Sequence, residues 1–436
     1  MLNTIAIRKE NIEPTEKRSP LSPNHINELV KNNKIKMLLE PWENRHFTHQ
    51  NYIDNGGQIS EDLTGANIIF GVKEIPIEDL PENQAAVFFS HTIKGQSYNM
   101  PLLQAVLDKN VTLIDYEKVT DESGKRLIFF GPYAGLAGAI NSIWLLGQRL
   151  KVEGIENPFE MMQQANSYKS LDDAKAVLKN INNKIQTNGL PQTGKPWVIA
   201  VTGAGTVSKG AQEIVDLLPV KAVSPAEFRK MQQDNSFDLN TLYKVVIDCD
   251  NFVKPINPAD NFDWQDYFTH PEKYEADFAQ YIPDITVLIN CIFWDTMFPK
   301  LVTKQNIKSL YGKESQPNLR IIADITCDVE GSIECNQKST ASDNPTYVFD
   351  AFKQTIKDGI EGNGPVILAV DKLPSELPRE ATKFFGDLLF PFVADLAKVD
   401  FTVPFEKLEM PAPFKRAMIA HQGNLTPDYE YLKKYL

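Results

Sequence analysis

The sequence has few of the features that mark secreted or membrane-spanning proteins. Its four cysteines, Cys249, Cys291, Cys327 and Cys335, have no C-x-x-C spacing, and a chain of 436 residues can build a core without disulfides. No apolar run approaches the roughly 20 residues that cross a bilayer, and no basic, apolar and small-residue signal pattern opens the chain. We therefore expect reduced cysteines and a cytoplasmic protein.

Positive charge is also scarce, since 45 Lys and Arg residues stand against 57 Asp and Glu residues. Nucleic acids and anionic membranes select basic surfaces, so we expect neither as a partner. His46 and His49 form an H-x-x-H pair, but no cysteine or acidic residue lies at zinc-like spacing, and we expect no metal. The length favours two or three globular domains.

One stretch, Trp197–Lys209, has the strand–turn–helix pattern of a dinucleotide site. An apolar run leads to Gly203, which permits a tight turn, and to Gly205, which lets the backbone approach a pyrophosphate at the start of the next helix. The third small position is Ser208 instead of glycine, so the motif alone is equally compatible with an ordinary strand–turn–helix. Further strand-like runs downstream favour parallel βαβ units.

In the N-terminal third, ionisable residues follow three successive strand-like runs. Lys73 and Glu74 follow the first run, His91 and Lys94 the second, and Glu117 the third. Ligands bind at the carboxyl ends of the strands in open α/β sheets, so we expect these side chains to converge. The alternative is that they are solvated loop residues. His91 fits that alternative least, because it follows a buried run directly and titrates near neutral pH.

Motifs spread over nearly the whole chain resemble those of one enzyme family. In chain order they are E-K-R-S-P-L-S-P, G-V-K-E, S-H-T-I-K-G-Q, D-Y-E-K, F-G-P-Y-A-G, T-G-A-G-T-V-S-K-G-A-Q, L-I-N-C-I-F-W, D-I-T-C-D-V-E-G-S-I-E and L-P-R-E-A-T. By these motifs the chain resembles the lysine–2-oxoglutarate reductase family, also called lysine-forming saccharopine dehydrogenases. Their shared order makes the resemblance more specific than any single motif.

The resemblance implies the α/β fold of alanine dehydrogenase and transhydrogenase: two Rossmann-like doubly wound domains with a cleft between them, the first discontinuous. The expected substrate domain comprises residues 1–137 and 376–436, and the expected dinucleotide-binding domain comprises residues 138–375. In animals and plants a saccharopine-oxidising domain usually follows the reductase. Because this sequence ends at Leu436, we expect only the lysine-forming half, with a separate saccharopine-oxidising enzyme as a pathway partner.

The implied reaction condenses L-lysine with 2-oxoglutarate and reduces the product to saccharopine, or runs in reverse. The resemblance implies that Lys73 is a general base and His91 the general acid, and a desolvated lysine beside other cations can have a pKa near neutrality. Arg18 and Lys94 would bind the substrate carboxylates. Glu74 and Glu117 would hold the lysine-derived ammonium or counter the cations. The other implied substrate contacts are Gln96, Phe130 and Phe293.

For the cofactor, the implied contacts are Gly203, Gly205, Thr206 and Val207 at the pyrophosphate, and Ile292 and Asp324 near the nicotinamide. The acid that binds the ribose of NAD, about 20 residues after the glycines, is replaced by Ser224. A missing acid removes repulsion against a 2′-phosphate, and Arg229 is close enough in sequence to bind one, so we favour NADPH. NADH remains the alternative cofactor, because a shift by one helical turn would place Glu227 on the ribose.

Three other functions compete with this interpretation. One is an NAD-dependent saccharopine dehydrogenase that works oxidatively, and another is a related amino-acid dehydrogenase that uses ammonia. The third is a nucleotide-sensing protein that has kept the fold and lost the chemistry. The third is the least favoured, because Lys73 and His91 both stand in their expected context.

Overall fold

The computed structural model describes residues 3–13, 15–313 and 316–436. Its strands are β1 (Thr4–Ile7), β2 (Lys36–Leu39), β3 (Gln58–Ile59), β4 (Ile68–Phe70), β5 (Ala85–Phe88), β6 (Thr112–Asp115), β7 (Trp197–Thr202), β8 (Val220–Val223), β9 (Leu242–Ile247), β10 (Val253–Pro255), β11 (Tyr274–Ala276), β12 (Val287–Asn290), β13 (Ile321–Asp324), β14 (Thr346–Phe349), β15 (Ile356–Asp358), β16 (Val366–Leu368), β17 (Met418–His421) and β18 (Asn424–Leu425). Its α-helices are α1 (Pro23–Asn33), α2 (His49–Ile53), α3 (Met100–Asp108), α4 (Gly131–Val152), α5 (Leu171–Asn188), α6 (Thr206–Val215), α7 (Pro225–Asp234), α8 (Cys249–Phe252), α9 (Trp264–Thr269), α10 (Lys304–Lys313), α11 (Pro378–Leu396) and α12 (Ala412–Arg416).

The chain forms two compact units. Unit 1 comprises Met1–Phe130 and Pro378–Leu436, and unit 2 comprises Gly131–Leu377. The sequence placed the first boundary after residue 137, inside α4, whereas the structure assigns all of α4 to unit 2. The physical reason is the close packing of α4 on α6, where a Cβ at Gly135 would lie 1.9 Å from the carbonyl oxygen of Val207. The second boundary coincides with the start of α11 at Pro378 instead of following residue 375.

Unit 1 contains an eight-stranded sheet in the order β18-β17-β6-β5-β4-β1-β2-β3. The strands from β6 to β3 are parallel, and β17, from the C-terminal part of the chain, pairs antiparallel with β6. The central strands are apolar along their length because helices cover both faces of such sheets. Phe70 pairs with Val87, and Phe88 pairs with Asp115, so β4, β5 and β6 end side by side.

Unit 2 contains a second eight-stranded sheet, in the order β15-β14-β16-β13-β12-β7-β9-β8. The strands from β16 to β8 are parallel, and β14 and β15 add an antiparallel edge. In the common doubly wound order, 3-2-1-4-5-6, the second strand lies beside the first. Here β9 lies beside β7 and β8 is the edge strand, so the second and third strands have exchanged places.

The two sheets confirm the predicted α/β fold class. Among the residues that the structure describes, none of the helices is long and apolar enough to cross a membrane. The same residues contain no group of three His, Cys, Asp or Glu side chains placed to hold a metal ion. All four cysteines are free, and burial raises the pKa of the Cys249 thiol to about 12.

Candidate active site

His91 and Glu74 form an ion pair at the adjacent ends of β4 and β5. The contact joins His91 Nδ1 and Glu74 Oε1, and both side chains are partly buried. The bond to Glu74 raises the pKa of His91 against the opposing effect of burial. Burial acts to raise the pKa of Glu74, but the hydrogen bond and charge of His91, a backbone hydrogen bond and the charge of Lys73 together outweigh burial, so the pKa falls below its usual value. His91 has a φ of +52°, a left-handed conformation that is uncommon outside glycine.

Lys73 lies beside this pair and is positioned through its backbone. The carboxylate of Glu10 accepts hydrogen bonds from the N–H of Val72 at 2.7 Å and from the N–H of Lys73 at 2.9 Å. Glu10 is only 1% exposed, and burial raises its pKa to about 7 although the charge of Arg8 opposes this. The charge of Lys73 in turn lowers the pKa values of both Glu74 and His91. The predicted acid and base therefore belong to one electrostatic cluster.

Arg18 is held in a fixed orientation by Glu16 and Phe130. Its Nε and Nη2 donate to the two carboxylate oxygens of Glu16 at 2.8 and 2.6 Å, and its guanidinium carbon lies 4.2 Å from the centre of the Phe130 ring. Burial acts to raise the pKa of Glu16, but the charge and hydrogen bonds of Arg18 bring it down to about 2. One edge of the guanidinium is thus occupied, and the edge formed by Nη1 and Nη2 is the one that can bind another carboxylate.

Phe89 connects these residues. Its ring centre lies 6.3 Å from that of His91, nearly parallel to it, and also 6.3 Å from that of Phe130. Phe130 stacks on Phe385 of α11 with 4.4 Å between ring centres. The aromatic cluster therefore places Arg18 and His91 on the same part of unit 1.

Glu117 follows β6 and is paired with Arg126 through Oε1. Asp115, the last residue of β6, is fully buried and accepts hydrogen bonds from the N–H of Ser90 at 3.0 Å and of Glu117 at 2.7 Å. Asp115 thereby ties the turn after β5 to the turn after β6. The ends of β5 and β6, which the sequence predicts to converge, are thus joined through the Asp115 carboxylate.

Lys94 and Gln96 are exposed on the loop that follows His91. Gln96 accepts a hydrogen bond from the Tyr98 hydroxyl at 2.9 Å, and Lys94 has no ion-pair partner in the described part of the chain. The loop is held by the last helical segment, Pro427–Tyr435, because the Tyr431 hydroxyl donates to the carbonyl of Ile93 at 2.6 Å. In the ranges that the structure describes, no hydrogen bond or ion pair joins either side chain to the His91–Glu74 pair.

In unit 2, the glycine turn after β7 has the geometry that a pyrophosphate site needs. Gly203 has a φ of +78°, which glycine adopts without strain, and its N–H donates to the carbonyl of Ile247 at 2.9 Å. Gly205 is the N-cap of α6, and a Cβ there would meet no atom within 4 Å. The free N–H groups of the first turn, at Thr206 and Val207, can therefore approach a diphosphate. These residues fit a nicotinamide dinucleotide.

Ile292 lies against this turn, since a Cβ at Gly203 would lie 3.4 Å from its Cγ2. Asp324 ends β13 and is 1% exposed. It accepts hydrogen bonds from Asn290, Thr326 and Asn336 at 2.7 to 2.8 Å, and burial raises its pKa to about 6 against the effect of these bonds. The backbone after β12 presents Phe293, which is 75% exposed.

Ser224 does not lie beside the glycine turn, which corrects the position assumed from the sequence. Ser224 follows the edge strand β8 and is the N-cap of α7, where its hydroxyl accepts from the N–H of Glu227 at 3.2 Å. The Glu227 carboxylate accepts from the N–H of Ser224 at 2.8 Å, which completes a capping box, and also from Ser224 Oγ at 2.7 Å. Arg229 donates to the carbonyl of Gln280 at 3.4 Å. The sequence rule assumes that β8 adjoins β7, whereas in the structure β9 does.

Sequence reasoning missed Glu10, Glu16 and Asp115. All three are buried carboxylates within two residues of, or hydrogen-bonded to, predicted site residues. The sequence does show a charged residue in or beside an apolar segment at each of these positions. Such a residue, when buried, must be paired with another polar or charged group. Their partners, however, could not be assigned from spacing alone.

Two family models match the chain. "Alanine dehydrogenase/PNT, N-terminal domain" matches residues 6–137, and "Alanine dehydrogenase/PNT, C-terminal domain" matches residues 174–428. A solved L-alanine dehydrogenase superposes with a TM-score of 0.62 at 17% identity and covers 99% of both chains. At that identity the superposition shows a shared fold.

Similar proteins are found among curated relatives. An alpha-aminoadipic semialdehyde synthase of Arabidopsis thaliana is 37% identical over 99% of this chain and 41% of its own length. The mitochondrial alpha-aminoadipic semialdehyde synthase of Mus musculus is 36% identical over 99% of this chain and 47% of its own length. The chain thus spans less than half the length of these relatives. A saccharopine dehydrogenase [NAD(+), L-lysine-forming] of Emericella nidulans is 26% identical, covering 90% of this chain and 92% of the relative.

These matches confirm the resemblance that the motifs indicated. The matched residues include the strand ends of unit 1 and the glycine turn of unit 2. The chain belongs to the alanine dehydrogenase/PNT family.

Proposed function

We propose that this protein reductively condenses L-lysine with 2-oxoglutarate to saccharopine, or oxidises saccharopine in reverse, with a nicotinamide cofactor. The observation that carries the proposal is the ion pair of His91 with Glu74, with Lys73 beside it at the aligned ends of β4 and β5. The semialdehyde synthases of Arabidopsis thaliana and Mus musculus support it through their match to almost the whole chain.

The reaction needs a positioned acid and a positioned base. The amine attacks the ketone, water leaves the resulting carbinolamine, and the imine is reduced. Glu74 holds His91 at Nδ1 and raises its pKa, so the imidazolium persists to higher pH than it would without Glu74 and can give up a proton from Nε2 as the hydroxyl leaves. Lys73, positioned through Glu10, accepts the proton of the attacking amine.

Substrate carboxylates require cations. Arg18 would bind one through its Nη1 and Nη2 edge, since Glu16 occupies the other edge. Lys94, exposed on the loop after His91, would supply a second charge. Gln96, Phe130 and Phe293 would border the substrate, and Glu117 would counter the cations.

In unit 2 the glycine turn would hold the dinucleotide, which when bound supplies or accepts the hydride. Gly203, Gly205, Thr206 and Val207 would contact the pyrophosphate, and Ile292 and Asp324 would lie near the nicotinamide. The preference for NADPH that Ser224 and Arg229 suggested is a prediction that assumed β8 to adjoin β7, whereas β9 does. A cytoplasmic location also stays a prediction. The alternative function is an NAD-dependent saccharopine dehydrogenase, as the relative from Emericella nidulans is named.

Substitution of the acid and base tests the proposal. Lys73→Met and His91→Gln should each lower kcat at least about 100-fold, the usual scale of general acid–base catalysis. The matched controls are Lys179→Met and His270→Gln, which change exposed side chains of unit 2. Wild-type turnover in both site variants, with the fold retained by circular dichroism, would remove the assigned roles.

A further inference from the structure

The order of strands in unit 2 changes which side chain can reach the ribose of a bound dinucleotide. In a doubly wound sheet, the acid that recognises the ribose ends the strand beside the glycine-turn strand. That strand is β9, which pairs with β7 over its whole length from Trp197–Leu242 to Thr202–Ile247. Beyond the last pair, the N–H of Gly203 donates to the carbonyl of Ile247 at 2.9 Å. The end of β9 is therefore bonded directly to the glycine turn.

The residue after Ile247 is Asp248, an acid. Asp248 is half-buried and is the N-cap of α8, where one carboxylate oxygen accepts from the N–H of Cys249 at 2.9 Å. Within the described ranges, Asp248 has no ion-pair partner that would neutralise its charge. The Cys249 side chain also hydrogen-bonds to Asp248. A carboxylate accepts at about four positions, so these two bonds to Cys249 leave capacity for ribose hydroxyls.

Ser224 is poorly placed for the same task. β8 is separated from β7 by β9, and the hydroxyl of Ser224 is engaged in the capping box with Glu227. Arg229 lies over the ring of Tyr281, with its guanidinium carbon 5.8 Å from the ring centre. The spacing rule selected Ser224 because β8 and α7 intervene in the chain before β9.

We propose that Asp248 is the residue that determines cofactor specificity, by accepting hydrogen bonds from the ribose hydroxyls of NADH and repelling the 2′-phosphate of NADPH. The proposal rests on the nicotinamide cofactor of the proposed function and reverses the preference for NADPH that Ser224 suggested. A carboxylate and a phosphate held within a few ångströms repel each other strongly at a partly buried site.

Equilibrium binding tests the proposal without any amine substrate. Dissociation constants for NADH and NADPH should be measured by isothermal titration calorimetry on the full chain, its Asp248→Asn variant and its Ser224→Asp variant. Asparagine and aspartate are both good N-caps, so neither change should unfold the adjoining helix, and thermal melting checks this. We expect the unmodified chain to bind NADH at least about tenfold more tightly than NADPH, the scale of one charged hydrogen bond.

The two variants should behave differently. Asp248→Asn should weaken NADH binding and strengthen NADPH binding. The dissociation constant for NADPH divided by that for NADH should therefore fall about tenfold or more. Ser224→Asp should leave that ratio within about twofold, because the edge strand lies away from the turn.

Other outcomes overturn the assignment. A preference for NADPH in the unmodified chain, an unchanged ratio in Asp248→Asn, or binding of neither dinucleotide each contradicts it. If Ser224→Asp abolishes NADPH binding, the ribose lies at β8 instead. NADH binding without turnover of lysine and 2-oxoglutarate would contradict the proposed reaction and leave the role of Asp248 intact.

Discussion

At the scale of single residues, the site is organised by opposite charges that are partly removed from water. His91 and Glu74 each shift the other toward its charged form, so both are ionised between the lowered pKa of the acid and the raised pKa of the imidazole. Arg18 and Glu16 form a second pair that is more deeply buried. The first pair loses the charge on His91 at the raised pKa of the imidazole, whereas the Glu16 carboxylate stays ionised down to about pH 2 and fixes the Arg18 guanidinium in place.

Removing the Glu74 charge should lower the pKa of His91. In Glu74→Gln the imidazole loses its charged partner but keeps its burial and the repulsion from Lys73, both of which act to lower its pKa. We expect the pKa to fall, measured by NMR titration of the His91 ring protons. The alkaline limb of the kcat/KM profile should move to lower pH in parallel.

Glu78→Gln is the control for this prediction, because Glu78 is an exposed acid of the same loop region. It should leave the His91 titration unchanged. An unaltered His91 pKa in Glu74→Gln would show that the ion pair does not form in solution.

Glu16 should make stability depend on acid pH. Its pKa is about 2 in the folded protein against an ordinary value of 4.5, so its stabilising contribution is present above pH 4.5 and is lost as the pH falls toward 2. As the pH falls, the unmodified chain should lose up to roughly 3 kcal/mol of its free energy of unfolding through Glu16, and Glu16→Gln should not show this loss. Urea denaturation of both proteins between about pH 5 and pH 2.5 measures it. If the free energy of unfolding fell equally with pH in both proteins, Glu16 would not be the group with the lowered pKa.

At the scale of secondary-structure elements, the sequence predicted where the strands lie in the chain better than which strands pair in the sheet. The runs before Lys73, His91 and Glu117 are strands, and their ends are adjacent, because parallel strands with helical connections align their carboxyl ends. The exchange of β8 and β9 was not predictable, since an apolar run shows that a strand is buried but does not name its partner. That difference moved the candidate ribose contact from Ser224 to Asp248.

The contact of α4 with α6 depends on two glycines. A Cβ at Gly210 would lie 2.2 Å from the carbonyl oxygen of Pro132, and one at Gly135 would lie 1.9 Å from that of Val207. Because both obstacles are backbone atoms, Gly135→Ala must push the helices apart. We expect it to lower the free energy of unfolding by about 1 to 3 kcal/mol, measured by denaturant unfolding.

Gly312→Ala is the matched control for Gly135→Ala. Gly312 lies in α10, where an added Cβ would meet no atom within 4 Å, and alanine has the higher helix propensity. The change should be neutral or stabilise by up to about 1 kcal/mol. Equal effects at both positions would mean that the close helix contact is absent.

At the scale of the whole chain, the candidate catalytic residues and the candidate cofactor site lie on two different doubly wound sheets. Unit 1 carries the candidate acid, base and carboxylate-binding residues, and unit 2 carries the glycine turn. The family, the fold class and the convergence of strand ends could be predicted from motifs and periodicity. The pairing of Glu10 with the Lys73 backbone and of Glu16 with Arg18 could not, because buried charges are satisfied by whichever partner the tertiary fold brings near.

The measurement that tests the central claim most directly is dinucleotide oxidation by the purified protein with L-lysine and 2-oxoglutarate. NADH and NADPH should be supplied in separate assays, with ammonia replacing lysine as the control for a simple amino-acid dehydrogenase. We predict turnover that requires lysine and yields saccharopine. Turnover with ammonia alone, or no oxidation of either dinucleotide with lysine by a folded protein, would contradict the proposed function.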